Sequence, residues 1–262
     1  MKKFTLILIV ALLVACTACS PKPAPKPVEN AYDLYTAMNT AMKNVTSMQA
    51  KADVKMNMQS EGENADMNMF MDIKQILRSE TDLEMALLMS IDMGELGGLM
   101  DAKIYYKDGY LYQEIMGMKV KMRMALEEAM AAVNMDAISS LNFEKDAISQ
   151  SEVKNVDGGK ELSFTLKGDA LNDTLTEMVN AMIGSLDSDV DMKLTFGDVS
   201  YTLLLGSDNF PKKQHIVYSM DMEVDGEKTS ISYDMYMTDL SYNTIKAIEY
   251  PADLDDYMEI AL

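Results

Sequence analysis

From Met48 onward, apolar and polar positions alternate along the chain. Met48, Ala50, Ala52, Val54, Met56 and Met58 share one parity, and Gln49, Lys51, Asp53, Lys55 and Asn57 the other. A period of two marks a strand with one buried face. The pattern returns at Ala65, Met67, Met69, Met71 and Ile73, and again at Leu83, Met85, Leu87, Met89, Ile91 and Met93. Phe70 interrupts the polar parity of the second strand. KIYY and YLYQE flank Lys107-Asp108-Gly109-Tyr110, a hairpin signal. Gly117 and a following VKM close this half. Strands resume near Ser151, with a turn around Asp157-Gly158-Gly159 and the alternating Leu162, Phe164 and Leu166. Four more strands are predicted at 190–196, 199–205, 214–224 and 228–238, with Gly197-Asp198, GSDNFPKK and Asp225-Gly226 at the turns between them. The last segment, 250–262, reads as an extended, proline-led piece with one helical turn.

Three stretches follow the helical period instead. The first opens on Asn30 as N-cap and carries Leu34, Tyr35, Met38, Ala41, Met42 and Val45. The second covers 124–133, apolar at Leu126, Met130 and Val133, and is extended by Ile138 and Leu141. The third follows Asp169 with Leu171, Leu175, Met178, Val179, Met182, Ile183 and Leu186. Strands that follow strands through tight turns must pair antiparallel. The prediction is therefore an α+β fold: one large, strongly curved antiparallel sheet, a half-barrel of about 10–11 strands with about three helices on its concave side. Residues 30–262 form a single domain.

What precedes that domain is built differently. Lys2 and Lys3 precede an apolar run over residues 5–15, too short to span a bilayer and of secretory-signal form. Leu13-Val14-Ala15-Cys16 resembles the lipobox of bacterial lipoproteins. It implies a signal peptide of residues 1–15 and acylation of Cys16, with Cys19 as the rival. Pro21, Pro23, Pro25 and Pro27 then alternate with small or basic residues. Such a segment is extended at ~3.1 Å per residue, so in the lipidated-Cys and tether region of residues 16–29, residues 17–29 could hold the domain up to ~40 Å from the membrane. The expected location is the extracytoplasmic face of the cell membrane. Both cysteines lie in the first 20 residues, so the domain has neither disulfide nor thiol nucleophile.

A formal charge of −19 with no basic stripe argues against nucleic acid and against docking on anionic lipid by charge. Catalytic parts are also missing. The chain has one histidine, His215, which falls on the parity opposite Ile216, Tyr218 and Met220 and reads as a solvated surface residue. There is no G-x-S-x-G and no H-E-x-x-H. Asp187, Asp189 and Asp191 begin like a calcium loop, but Met192 stands where glycine is needed, so they read as a solvated acidic turn. No enzyme activity, cofactor or metal is expected.

The lipobox, the proline tether, the early helix and the long strands with a KDGY hairpin together resemble the LolA/LolB and LppX/LprG-like lipoproteins. The resemblance is closest to Gram-positive lipoproteins of this type. It implies a half-open antiparallel barrel closed by helices around a hydrophobic cavity, and carriage of acylated lipids or lipoproteins.

The 27 methionines sharpen that expectation. Burying one gains ~1.5–3 kcal/mol. Freezing its side chain costs up to ~1.5–2 kcal/mol, more than Ile or Leu. A sheet written in methionine is less rigidly specified, and it re-packs around different apolar partners. Met56, Met58, Met67, Met69, Met71, Met85, Met89, Met220, Met222, Met235 and Met237 are the predicted core or cavity lining for a lipid or other hydrophobic small molecule. The protein is expected to act as a monomer. Two alternatives stay open. One is an envelope interaction or sensor protein with a filled core. The other is a Cu(I)-binding protein, since thioethers are soft ligands and Met-x-Met pairs on a strand lie ~6.6 Å apart on one face.

Overall fold

A computed structural model describes residues 30–60, 63–79, 82–94, 97–126, 143–170, 192–224 and 227–260. The signal segment and tether, the second predicted helix beyond Leu126, the third beyond Ala170, and Asp187, Asp189 and Asp191 lie outside them. Helix α1 (Ala31–Met42) starts where the sequence places it, and the Asn30 side chain accepts from the Asp33 N–H at 2.9 Å. That bond satisfies one of the free donors of the first turn. Among the described residues no helix is long and apolar enough to cross a membrane.

The strands are β1 (Ser47–Ser60), β2 (Glu63–Ser79), β3 (Asp82–Asp92), β4 (Leu99–Lys107), β5 (Tyr110–Ile115) and β6 (Met118–Arg123), then β7 (Ile148–Val156), β8 (Gly159–Leu166), β9 (Met192–Phe196), β10 (Val199–Leu205), β11 (Pro211–Val224), β12 (Glu227–Tyr242) and β13 (Met258–Glu259). They form one 13-stranded sheet in the order β13-β6-β5-β4-β3-β2-β1-β12-β11-β10-β8-β7. Two meanders, β1 to β6 and β7 to β12, are thus joined by the pairing of β1 with β12. The architecture is the predicted curved, open antiparallel sheet, with fewer helices among the described residues.

Two details depart from the sequence reading. Gly197-Asp198 does not reverse the chain. β9 and β10 both run antiparallel to β11, with Phe196 opposite Met220 and Ser200 opposite Val217, so they are one strand broken in the middle. Gly168 lies at the break. A Cβ there would sit 2.2 Å from the Phe196 carbonyl oxygen, and its N–H donates to Asp198 Oδ1 at 3.0 Å. A glycine-acid pair thus serves close packing here, although the same letters read as a turn. The second departure is β13, which pairs parallel with β6.

The hairpin turns at Asp108-Gly109 and Met116-Gly117 have positive φ at both central residues, 52° and 76° in the first and 52° and 81° in the second. This is the type I′ geometry that matches strand twist. Met116 is a poor residue for a left-handed position and is 80% exposed, so it gains nothing by burial there. Met116→Asn is expected to raise stability by about 1 kcal/mol, read as a shift in the urea midpoint at constant m-value.

Candidate functional site: the methionine face of the sheet

Strand register decides what the methionines can do together. Met56 stands directly opposite Met67 on β2 and Tyr233 on β12, and Tyr233 opposite Tyr218 on β11. The next row carries Ile91, Met69, Val54, Met235 and Ile216, and the one after it Met89, Met71, Ala52, Met237 and Gln214. Met58, Met85, Met220 and Met222 share the same parity. All eleven predicted methionines therefore lie on one face, which we call the inner face.

They do not share one environment. Met71, Met85 and Met237 are buried in packed clusters and act as core. Met56, Met58, Met67, Met69, Met89, Met220, Met222 and Met235 are half-buried. Met71 and Met237 pack with Ala50, Ala52, Val54, Ile73 and Leu87, and Met85 with Leu83, Tyr106, Leu111 and Met122, whereas Met220, Met222 and Met235 only border the cluster that α1 fills. On β8 and β10 the inner face is filled by α1, whose Leu34, Tyr35 and Met38 pack with Leu162, Phe164, Tyr201 and Leu203. Phe164 stacks on Tyr201 at 4.9 Å and meets Tyr35 edge-on at 5.4 Å. That end is solid. The half-buried methionines occupy β1, β2, β3, β11 and β12, and beside them Tyr218 stacks on Tyr233 at 4.6 Å and 14°. Burial holds both of these phenols above the usual tyrosine range, and the neighbouring Tyr233 adds to the shift at Tyr218. Between 48 and 58 on β1, 65 and 77 on β2, 214 and 222 on β11 and 229 and 237 on β12, this parity holds no charged side chain. The sequence reading missed the Tyr218–Tyr233 pair and Gln214, although the period of two through Ile216 and Met220 already put them on this parity.

The opposite face is polar over β1, β2, β11 and β12. Surface grooves of about 470, 420 and 220 Å³ lie there, lined by residues such as Lys51, Asp72, Asp239, Asn57 and Asp53. Lys51 pairs with Asp239 at 3.0 Å. Phe70 is on this side and remains 42% exposed. His215 is on the predicted side, but it is not simply solvated. Its Nε2 lies 2.7 Å from Asp234 Oδ1, and its ring stacks on Tyr236 at 3.7 Å. Among the described residues no group of three or more His, Cys, Asp or Glu is assembled to hold a metal ion.

Beyond β2 the polar face acquires a second core. The segment after β12 crosses it and ends as β13 on the edge of β6. Ile248, Leu254 and Tyr257 pack there with Ile76, Ala86, Tyr105 and Tyr112. Burial pushes the Tyr257 phenol up to about 12, helped by the nearby Glu114 carboxylate, and raises Tyr105, Tyr112 and Tyr250 as well. A phenol that holds its proton more tightly when folded contributes stability below its ordinary pKa and loses it as pH rises through the folded value. Stability is expected to hold up to pH 10 and to fall between pH 10 and about 12, with tyrosinate absorbance rising together with unfolding. Denaturant titrations at a series of pH values check this.

Comparison with solved structures gives loose matches. LprF from Mycobacterium bovis superposes with a TM-score of 0.45 at 11% identity, covering 85% of this chain and 97% of its own. A domain assigned to outer membrane lipoprotein sorting from Vibrio parahaemolyticus gives 0.28 at 12%, covering 87% and 98%. A DUF1329 family protein from Desulfovibrio piger gives 0.29 at 11%, covering 83% and 93%. Superpositions this loose carry no function across. No curated protein matches the sequence. A family model does match, over residues 30–258, and the chain accordingly belongs to DUF6612, a family of unknown function.

Proposed function

We propose that this protein is a non-enzymatic, lipid-anchored lipoprotein of the extracytoplasmic membrane face, of the Gram-positive kind, and that it binds a lipid or acyl chain along the methionine face. The observation that carries this reading is the half-buried, charge-free end of the inner face beside a filled one. Eight half-buried methionines, with Met220, Met222, Met235 and Tyr218 bordering the filled cluster and Tyr233 beside them, keep apolar area available to a ligand. Each methylene taken from water by that surface contributes about 0.8 kcal/mol. Methionine can follow a flexible chain without a fixed pocket shape. Residues 1–29 would supply the anchor at Cys16 and the spacer.

Native mass spectrometry of the protein purified from its own host tests the reading. Co-purifying lipid, or uptake of a fluorescent acyl probe that lipid displaces, is the expected result. An empty protein that takes up no probe would leave the filled-core interaction reading in its place. The direct opposition of Met56 and Met67 keeps one further reading in view, a soft-metal site of thioethers. Titration with Cu(I), before and after Met56→Leu and Met67→Leu, separates that from lipid binding.

A further inference from the structure

Among the described residues, one buried residue on the inner face breaks its chemistry. Gln214 is 6% exposed, and its amide Nε2 has no hydrogen-bond partner. It stands between Leu203 on β10 and Met237 on β12, both buried and both apolar. A Leu or Met would keep the period of two at this position and leave no buried donor unsatisfied. Buried polar groups are nearly always paired, so an orphan of this kind calls for a cause. Its place suggests one. Gln214 lies next along β11 to Ile216, itself fully buried, whose row continues into the half-buried Met235 and Met69. Residues two apart on a strand are ~6.6 Å apart, within reach of a glutamine side chain and an adjoining ligand.

We infer that the Gln214 amide is the polar contact of the methionine face, donating to an uncharged carbonyl oxygen of an acyl ester. The inference rests on the apolar-ligand reading and narrows it. A plain hydrocarbon would leave the donor as unsatisfied as it is now. An ionised carboxylate would receive one neutral donor and meet no cation on this parity between 48 and 58, 65 and 77, 214 and 222 or 229 and 237, since Lys212 is exposed at the register shift beside Leu205, so its burial would go uncompensated. An ester carbonyl accepts the bond and brings no charge, while its chains lie over the methionines.

The test compares methyl palmitate, palmitate and hexadecane as competitors of a fluorescent acyl probe. It uses the full chain in nanodiscs, with protein-free nanodiscs correcting for partition. In the native protein methyl palmitate is expected to compete best. Gln214→Met removes the orphan donor, so the unliganded variant melts about 2–4 °C higher, while methyl palmitate binds about tenfold more weakly and hexadecane is unchanged. Gln214→Leu should behave the same way, which guards against a packing effect of one side chain. Equal competition by ester and alkane in the native protein, or equal loss of both in the variants, overturns the role of Gln214 and leaves apolar binding standing. A variant that is stabilised with no change in ester preference marks a donor served by water, and it also overturns the inference. Failure of all three competitors and of the probe itself removes the apolar-ligand reading altogether.

Discussion

Replacing Tyr257 with Ala is expected to lower the unfolding free energy by about 3–5 kcal/mol, the usual cost of deleting a buried aromatic ring. Tyr257 is 2% exposed. Its ring meets Tyr112 edge-on at 5.7 Å, its hydroxyl donates to Glu114 Oε2 at 3.4 Å, and the Lys119 ammonium lies 5.6 Å from the ring centre. The ring is also the anchor of a strap. Lys119 pairs with Asp253, Lys121 Nζ donates to the Asp255 carbonyl at 3.1 Å, and the Ile260 N–H donates to the Lys121 carbonyl at 2.9 Å. Loosening it uncovers Tyr105, Tyr112 and Ala86, together with the β6 edge that β13 pairs with. An uncovered apolar patch beside an unpaired edge promotes self-association. Urea denaturation gives the energy, and sedimentation velocity reports the association. Met258→Ala is the control, since Met258 is 64% exposed and the change should stay within about 0.5 kcal/mol. A loss under about 1 kcal/mol for Tyr257→Ala would show that the strap rests on the sheet without holding it.

Exchanging the opposed pair Met56 and Met67 for Lys and Glu is expected to abolish probe binding while leaving the fold in place. The two residues face each other across β1 and β2, so the new charges are directly opposed and of opposite sign. Such pairs suit antiparallel strands, contributing roughly 0.2–1 kcal/mol. Both positions are half-buried, which lets the charges stay hydrated in the free protein. An acyl chain laid over them must strip that water. Removing two charges from water costs several kcal/mol that an apolar partner does not return, so affinity should fall by about 100-fold or more. Probe titration with a parallel melting curve checks the claim. Unchanged affinity in a folded variant would place the ligand elsewhere.

The period of two at Met56, Met58, Met67, Met69 and Met71 was enough to assign strands and to put the methionines on one face. Side-chain direction alternates along a strand whatever its partners are. Asn30 as a cap and Asp108-Gly109 as a turn were legible for the same reason, because caps and turns depend on bonds within a few residues. The second core was not read, though it left a trace. Met85-Ala86-Leu87-Leu88, Ile76-Leu77 and Ile104-Tyr105-Tyr106 are unbroken apolar runs, which mark strands covered on both faces.

Gly197-Asp198 shows the limit from the other side. Its letters specify a local irregularity, and whether the chain reverses or continues there depends on β11, which holds both β9 and β10. The sequence by itself determined most of the strands, the shared parity of the eleven strand methionines, the capped first helix and the polar character of the other face over β1, β2, β11 and β12, since each follows from local backbone geometry. Only the tertiary structure decided that Met71 and Met237 are core while Met56 and Met67 are half-open, that a strap covers Tyr105 and Tyr112, and that Gln214 is buried without a partner. Those outcomes depend on residues far apart along the chain, brought together by pairings such as β1 with β12 and β13 with β6.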